Sequence, residues 1–205
     1  MSSTNRGNTR NKFDFYVTPV EHIRKFLKAF DRNHPGKLSN MNFILDPCAG
    51  GNEEYDMPYP KVLREFTNAE ILTIDIRLDS KARFKADYLS FVISDYADLI
   101  ISNPPFNLAM EFIKKAVEDV KIKGFIIFFL RFSFLASDKR LSFFDDFMPD
   151  EIYLHHNRPS FFPEDFYNED TGKTIKAGAT DSCEYAHFVW DLSQPNAPFS
   201  KTYLI

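Results

Sequence analysis

Apolar positions along this chain follow two rhythms. Val20, Ile23, Phe26, Leu27 and Phe30 recur at three- and four-residue spacing, which predicts an amphipathic helix within "TPVEHIRKFLKAF", with Thr18 as N-cap and Pro19 in the first turn. "HPG" at 34–36 stops it. Ala109, Phe112, Ile113, Ala116, Val117 and Val120 keep the same spacing and predict a second helix over 108–120. Shorter helical patterns cover 60–66 and 138–148. The other rhythm is unbroken: "NFILD" (42–46), "AEILTIDIR" (69–77), "DLIIS" (98–102), "GFIIFFLRFSFL" (124–135), "EIYLHH" (151–156) and "EYAHFVWDL" (184–192). Short continuous apolar runs predict strands covered on both faces.

Strands alternating with helices predict βαβ units, hence an α/β fold with a mostly parallel sheet. Ligands bind such sheets beyond the carboxyl ends of the strands. The stretches to inspect are therefore those from Asp46, Asp75, Ser102 and Leu130 onward. Residues 157–183 show no period and carry Pro, Gly, Asn and Asp turn signals, so an irregular loop, functional or disordered, is expected there.

Composition changes this picture little. A chain of 205 residues is one domain, taken here as 13–205, behind a polar arm at 1–12 expected to be disordered. Its 23 phenylalanines predict an aromatic-rich core. A net charge of −4 argues against gripping nucleic acid by bulk electrostatics. Residues 1–40 nevertheless carry +5, leaving −9 for the rest, so the front end reads as a solvated terminus or as a nucleic-acid arm. Cys48 and Cys183 form neither a disulfide framework nor a metal-ligand spacing, and no metal is expected. The start lacks the apolar core of a signal peptide, and "FIIFFL" (125–130) is too short to span a bilayer. A soluble cytoplasmic protein with no membrane partner is expected.

Candidate chemistry sits at three strand ends. "DPCAGG" (46–51) places glycines where a strand turns toward a helix, a place where bare backbone can approach a cofactor or simply make a tight turn. Asp75 ends the second strand, where a carboxylate can accept hydrogen bonds from a ribose diol. The dinucleotide pattern G-x-G-x-x-G is absent. Asn103-Pro104-Pro105-Phe106 ends the third. The prolines stiffen the turn and push Asn103 to extended geometry. The Asn103 amide and the Pro104 carbonyl then offer two acceptors for the two N–H bonds of an amine, and Phe106 offers a face to a planar ring. An exocyclic amine is a poor nucleophile while its lone pair is conjugated into the ring. Two hydrogen bonds that draw the lone pair out of conjugation are what its methylation requires.

These residues resemble the S-adenosylmethionine-dependent amino-methyltransferases of DNA, and most of all the small Dam-like N6-adenine enzymes of bacteriophages. The resemblance spans about residues 13–192. It rests on "FDFYVTP" (13–19), "DPCAGG", "TIDIR" (73–77), "ADYL" (86–89) and "SNPPF" in order, with "FLRFSFLASDKR" (129–140) and "YAHFVW" (185–190) similar to motifs lining the base pocket. It implies a Rossmann-like seven-stranded class I methyltransferase sheet, mostly parallel with an antiparallel last strand. It implies cofactor binding by Tyr16, Thr18 and Pro19, by Asp46, Pro47, Cys48, Ala49 and Gly50, and by Asp75, Ile76, Asp87 and Tyr88. Catalysis falls to Asn103, Pro104, Pro105 and Phe106, acting on adenine N6 in double-stranded DNA. The chain departs from the family in two ways. Asn52 stands where the cofactor loop has a second glycine, and no separate target-recognition domain is present, with about 15 residues between Asp87 and Asn103. Sequence reading would fall to the 157–183 loop, the basic arm or a partner. Cytosine N4, RNA adenine and protein glutamine are rival acceptors. A catalytically silent protein that occupies DNA is a rival of another class. His155 and His156 read as structural, and Cys48 as a small buried residue.

Overall fold

The computed structural model describes residues 17–161, 166–168, 173–175, 180 and 182–205. The expected arm at 1–12 lies outside them, as does Tyr16. The elements run α1 (Val20–Asn33), β1 (Phe43–Asp46), α2 (Pro58–Leu63), β2 (Glu70–Asp75), β3 (Phe84–Lys85), β4 (Ala97–Ser102) and α3 (Ala109–Asp119). They continue with β5 (Val120–Arg131), α4 (Leu141–Phe147), β6 (Glu151–Leu154), β7 (Phe166–Asn168), β8 (Lys173–Ile175), β9 (Tyr185–Asp191) and β10 (Lys201–Leu204).

One sheet has the order β10-β6-β9-β5-β4-β1-β2-β3. Every pair in it is parallel except those of β9, which runs antiparallel between β5 and β6. The α/β fold expected from the sequence is therefore present, with eight strands where seven were expected. The additional strand is β10, which continues past β6 in register from Lys201↔Glu151 to Leu204↔Leu154. It carries no apolar run because it lies at the edge, where Lys201, Thr202 and Leu204 are exposed. The expected irregular loop also contains structure: β7 and β8 pair antiparallel, and Ser160 bridges Thr180.

The unbroken apolar runs are explained by the pleat. Alternate residues of one strand serve opposite faces. Phe125, Ile127 and Phe129 of β5 join Ile44, Leu99 and Ile101 under α1, where Ile23, Phe26, Leu27 and Phe30 are fully buried. Ile126, Phe128 and Leu130 join Leu45, Ile100 and Phe188 under α3, against Phe112 and Ile113. Burying a Phe or Leu side chain stabilises by roughly 1.5–3 kcal/mol, so β5 is the main ledge of both cores. Gly124 is forced where β4 and β5 shift register between Ala97 and Leu99. A Cβ there would lie 2.6 Å from Val120 Cγ2 and 2.9 Å from the Asp98 carbonyl.

Thr18 is not the N-cap of α1. Pro19 takes that place with extended backbone (φ −62°, ψ 125°) and no side chain caps the helix. The Thr18 hydroxyl is engaged elsewhere, as described below.

A line of polar groups crosses the α1 core. His155 Nε2 lies 2.9 Å from His187 Nδ1, and His187 Nε2 lies 3.1 Å from Tyr59 Oη. Phe26 stacks on the His187 ring at 4.1 Å. Burial holds His155 down to about 3 and His187 well below the ordinary 6.5, so both are neutral in the folded protein. This agrees with a structural role for His155. The unfolded chain binds protons to these rings below pH 6.5 and the folded chain does not. The stability His155 contributes is therefore complete above pH 6.5 and lost as pH falls toward 3, and His187 acts in the same direction. In chemical denaturation between pH 7 and pH 4.5, His155→Leu should show a shallower loss of stability than the wild type, even if it starts lower.

Candidate active site

The parallel strands β1, β2, β4, β5 and β6 deliver their carboxyl ends to one edge, and antiparallel β9 delivers its start there, with Tyr185 opposite Arg131. The sheet order reverses about β1, which has β4 on one side and β2 on the other. Such a reversal opens a crevice at the strand ends.

Asp46, fully buried at the end of β1, anchors this edge. Its Oδ1 accepts the Ser102 hydroxyl at 2.6 Å and the Cys48 N–H at 3.3 Å, while Ser102 Oγ accepts the same Cys48 N–H at 3.1 Å. Its Oδ2 is buried with no partner among the described residues. Burial, with the Asp75 charge adding to it, pushes the Asp46 carboxyl up to about 7 against those hydrogen bonds.

The loop that follows is shaped by Asp75. Asp75 Oδ2 accepts the Gly50 N–H at 2.8 Å and Oδ1 accepts the Arg77 N–H at 2.9 Å. The Ser80 hydroxyl donates to the Gly50 carbonyl, and Ala49 N–H donates to the Ile74 carbonyl at 3.0 Å. Gly50 and Gly51 both take left-handed backbone, φ 64° and 69°. A Cβ on Gly51 would lie 2.8 Å from Met57 Cγ and 3.0 Å from its backbone nitrogen, so nothing larger than glycine fits without movement. Asn52 makes no such demand. Its Oδ1 accepts the N–H groups of Glu54 and Tyr55 at 3.0 and 2.9 Å, a side-chain turn that holds the loop without a glycine at this position.

The neighbouring residues divide into cleft and core. Asp87 follows β3, is exposed, and accepts the Leu89 N–H at 3.0 Å. Ile76, 52% exposed, follows Asp75 with its side chain open to a ligand. Pro47 is buried beside Asp46. Burial pushes the Cys48 thiol up, and the charges of Asp46, Asp75 and Asp87 push it further. Tyr88 faces away. Its ring packs on Phe112 at 5.2 Å, the Lys115 ammonium lies 5.5 Å above it, and burial together with Asp119 raises its hydroxyl. Its side chain belongs to the α3 core.

At the end of β4, Asn103 Nδ2 donates to Thr18 Oγ1 at 2.9 Å. Asn103 Oδ1 is buried and without a partner among the described residues. Pro104 is buried, Pro105 and Pro19 are half-buried, and Phe106 begins a single 3-10 turn over Phe106–Leu108. The half-buried Phe106 ring lies 5.8 Å from Tyr185, and the Arg131 guanidinium sits 5.1 Å from its centroid. Arg131 Nε donates to Tyr185 Oη at 3.2 Å. Ser102, Arg131 and Tyr185 were not singled out from the sequence. The signals for Arg131 were a charge closing the apolar run "FIIFFLR" and its place in the motif 129–140, and for Tyr185 its place at the start of "YAHFVW". Among the described residues, no group of His, Cys, Asp and Glu is arranged to hold a metal, and no helix is long and apolar enough to cross a membrane.

No protein-family model matches the chain, and no curated protein sequence does. Solved structures do match. A Listeria monocytogenes protein assigned to the class I S-adenosylmethionine-dependent methyltransferases has TM-score 0.60 and 13% identity over 92% of this chain and 65% of its own. A Vibrio vulnificus protein assigned as the modification subunit of a type I restriction enzyme has TM-score 0.61 and 14% identity, over 93% and 47%. A Thermotoga maritima S-adenosylmethionine-dependent O-methyltransferase has TM-score 0.51 and 12% identity, over 87% and 66%. The chain thus spans from about half to two thirds of these proteins. At such identities the likeness establishes the fold: this is the Rossmann-like methyltransferase architecture.

The dry Asp46 carboxyl gives a test of the loop in the protein alone. A folded value near 7 lies above the ordinary 3.8. Its contribution to stability is therefore fully present below pH 3.8 and lost as pH rises through 7. The thermal midpoint of Asp46→Asn relative to the wild type should climb between pH 4 and pH 8. A difference that stays flat with pH would show that the carboxyl is not titrating in the buried site.

Proposed function

We propose that the chain is an S-adenosylmethionine-dependent methyltransferase acting on the exocyclic N6 amine of adenine in DNA. The observation that carries this reading is the Asn103 amide, held by Thr18 at Nδ2 and left at the end of β4 with a buried Oδ1 that has no partner among the described residues. A buried acceptor without a donor costs about 1–3 kcal/mol, which an arriving N–H recovers.

The loop residues fit the cofactor. Asp46 Oδ2 is a second buried acceptor without a donor, suited to a cationic N–H group. The left-handed Gly50 and Gly51 bare the backbone, and Asp75 and Asp87 stand at successive strand ends, where a ribose diol and an adenine amine would be held. Ile76 offers an apolar face to the adenine. When bound, the cofactor supplies an electrophilic methyl group on a sulfonium.

The chain's own residues do the rest. Asn103 Oδ1 and the Pro104 carbonyl take the two N–H bonds of the target amine and draw its lone pair out of conjugation. The amine would then form the new N–C bond as the methyl's bond to sulfur breaks, leaving a neutral thioether, and the proton it gives up would pass to solvent. Phe106 stacks on the target ring, a contact worth roughly 1–3 kcal/mol that offsets part of the cost of unstacking a base. Double-stranded DNA as the substrate is supported by the order of motifs and by the fold shared with a restriction-modification subunit. Choice of site falls to the 157–183 loop, the basic arm or a partner.

Incubation with methyl-labelled cofactor and native DNA, followed by nucleoside analysis, should return labelled N6-methyladenine. Label in N4-methylcytosine, or none in DNA, overturns the acceptor assignment. Asn103→Ala should lower turnover by roughly a hundredfold or more while leaving cofactor affinity intact. Asp75→Ala should instead weaken cofactor binding in calorimetry by about tenfold or more, since it removes both a ribose acceptor and the support of the Gly50 N–H.

A further inference from the structure

We infer that Thr18 is a positioning residue for Asn103, setting which end of its amide meets the target, and not a cofactor ligand. Thr18 is 2% exposed, and its Oγ1 lies 2.9 Å from Asn103 Nδ2 across 85 residues of sequence. It precedes α1 without capping it, so its hydroxyl serves no local purpose in the helix.

The two ends of a side-chain amide are nearly the same shape, and only the hydrogen-bond network tells them apart. With Nδ2 on Thr18, the unpaired group is an acceptor, Oδ1. In the opposite orientation the Thr18 hydroxyl donates to Oδ1, and an NH2 group is left buried and unpaired. Buried donors without partners are rarer and costlier than under-satisfied carbonyls, so Thr18 biases the amide toward the first orientation. Only that orientation offers an amine something to donate to. An NH2 group facing an amine repels it. Without the Thr18 acceptor both orientations are open, and part of the population carries a grip of the wrong polarity.

The catalytic half of this inference rests on the function proposed above, whereas the amide orientation does not. Thr18→Val keeps the shape and removes the acceptor, and Thr18→Ser restores it. Three quantities decide the matter: the side-chain amide NMR signals of Asn103, identified by their loss in Asn103→Ala; cofactor affinity by calorimetry; and turnover at saturating cofactor. In Thr18→Val the Asn103 amide hydrogens should exchange faster, turnover should fall about tenfold, and cofactor affinity should stay within twofold. Thr18→Ser should recover both the signals and the turnover. Unchanged amide signals in Thr18→Val overturn the inference. So does a loss of cofactor affinity matching the loss of turnover, which would make Thr18 a cofactor residue. If the wild type methylates no DNA while the amide signals respond as described, the proposed acceptor fails and the positioning by Thr18 stands.

Discussion

The edge that carries the candidate site depends on one buried carboxylate. Asp46 sits at the end of β1, where the strand order reverses, and its bond to Ser102 ties the end of β1 to the end of β4. The Cys48 N–H closes the knot by reaching both groups. Removing the charge of Asp46 from water is costly, and two hydrogen bonds to one oxygen offset only part of that cost. The position of the cofactor loop relative to Asn103 follows from this tie, because Asn103 is the residue after Ser102.

A tie of this kind is useful only on a rigid frame. β5 supplies it by sending Phe125, Ile127 and Phe129 into one core and Ile126, Phe128 and Leu130 into the other. Arg131 at its end follows the buried run Phe125–Leu130, and it is this anchored cation that lies on Phe106. The neutral line His155–His187–Tyr59 sits in the α1 core behind the edge, coupling α2, β9 and β6 without placing a charge there.

Much of the fold was legible because buried parallel strands and amphipathic helices each leave a period. The strand ends were legible as well, which is why Asp46, Asp75 and Asn103 could be picked out before their neighbourhood was known, whereas Asp87 came only from the resemblance of "ADYL". Elements that need no burial leave no such mark: β3 has two residues, β10 is mostly exposed, and the β7–β8 pair sits in a segment without period. Tertiary partners were hidden for a different reason. Thr18 looked like a helix cap because caps are local, whereas its acceptor role depends on a residue 85 positions away. Tyr88 lies next to Asp87 in sequence yet packs on α3, because Asp87 caps a 3-10 turn that Tyr88 begins and that turn directs the ring onto Phe112. Ser102 reads as the last residue of a strand until Asp46 is seen beside it.

The cysteine in the cofactor loop has a chemical consequence of its own. A thiol reacts with oxidants and alkylating agents as its thiolate, and Cys48 is held in the protonated form by burial and by three surrounding carboxylates. The first step of the sulfur oxidation ladder, which needs the thiolate, is thereby slowed. The loop thus carries a half-buried sulfur whose surroundings favour the thiol over the reactive thiolate.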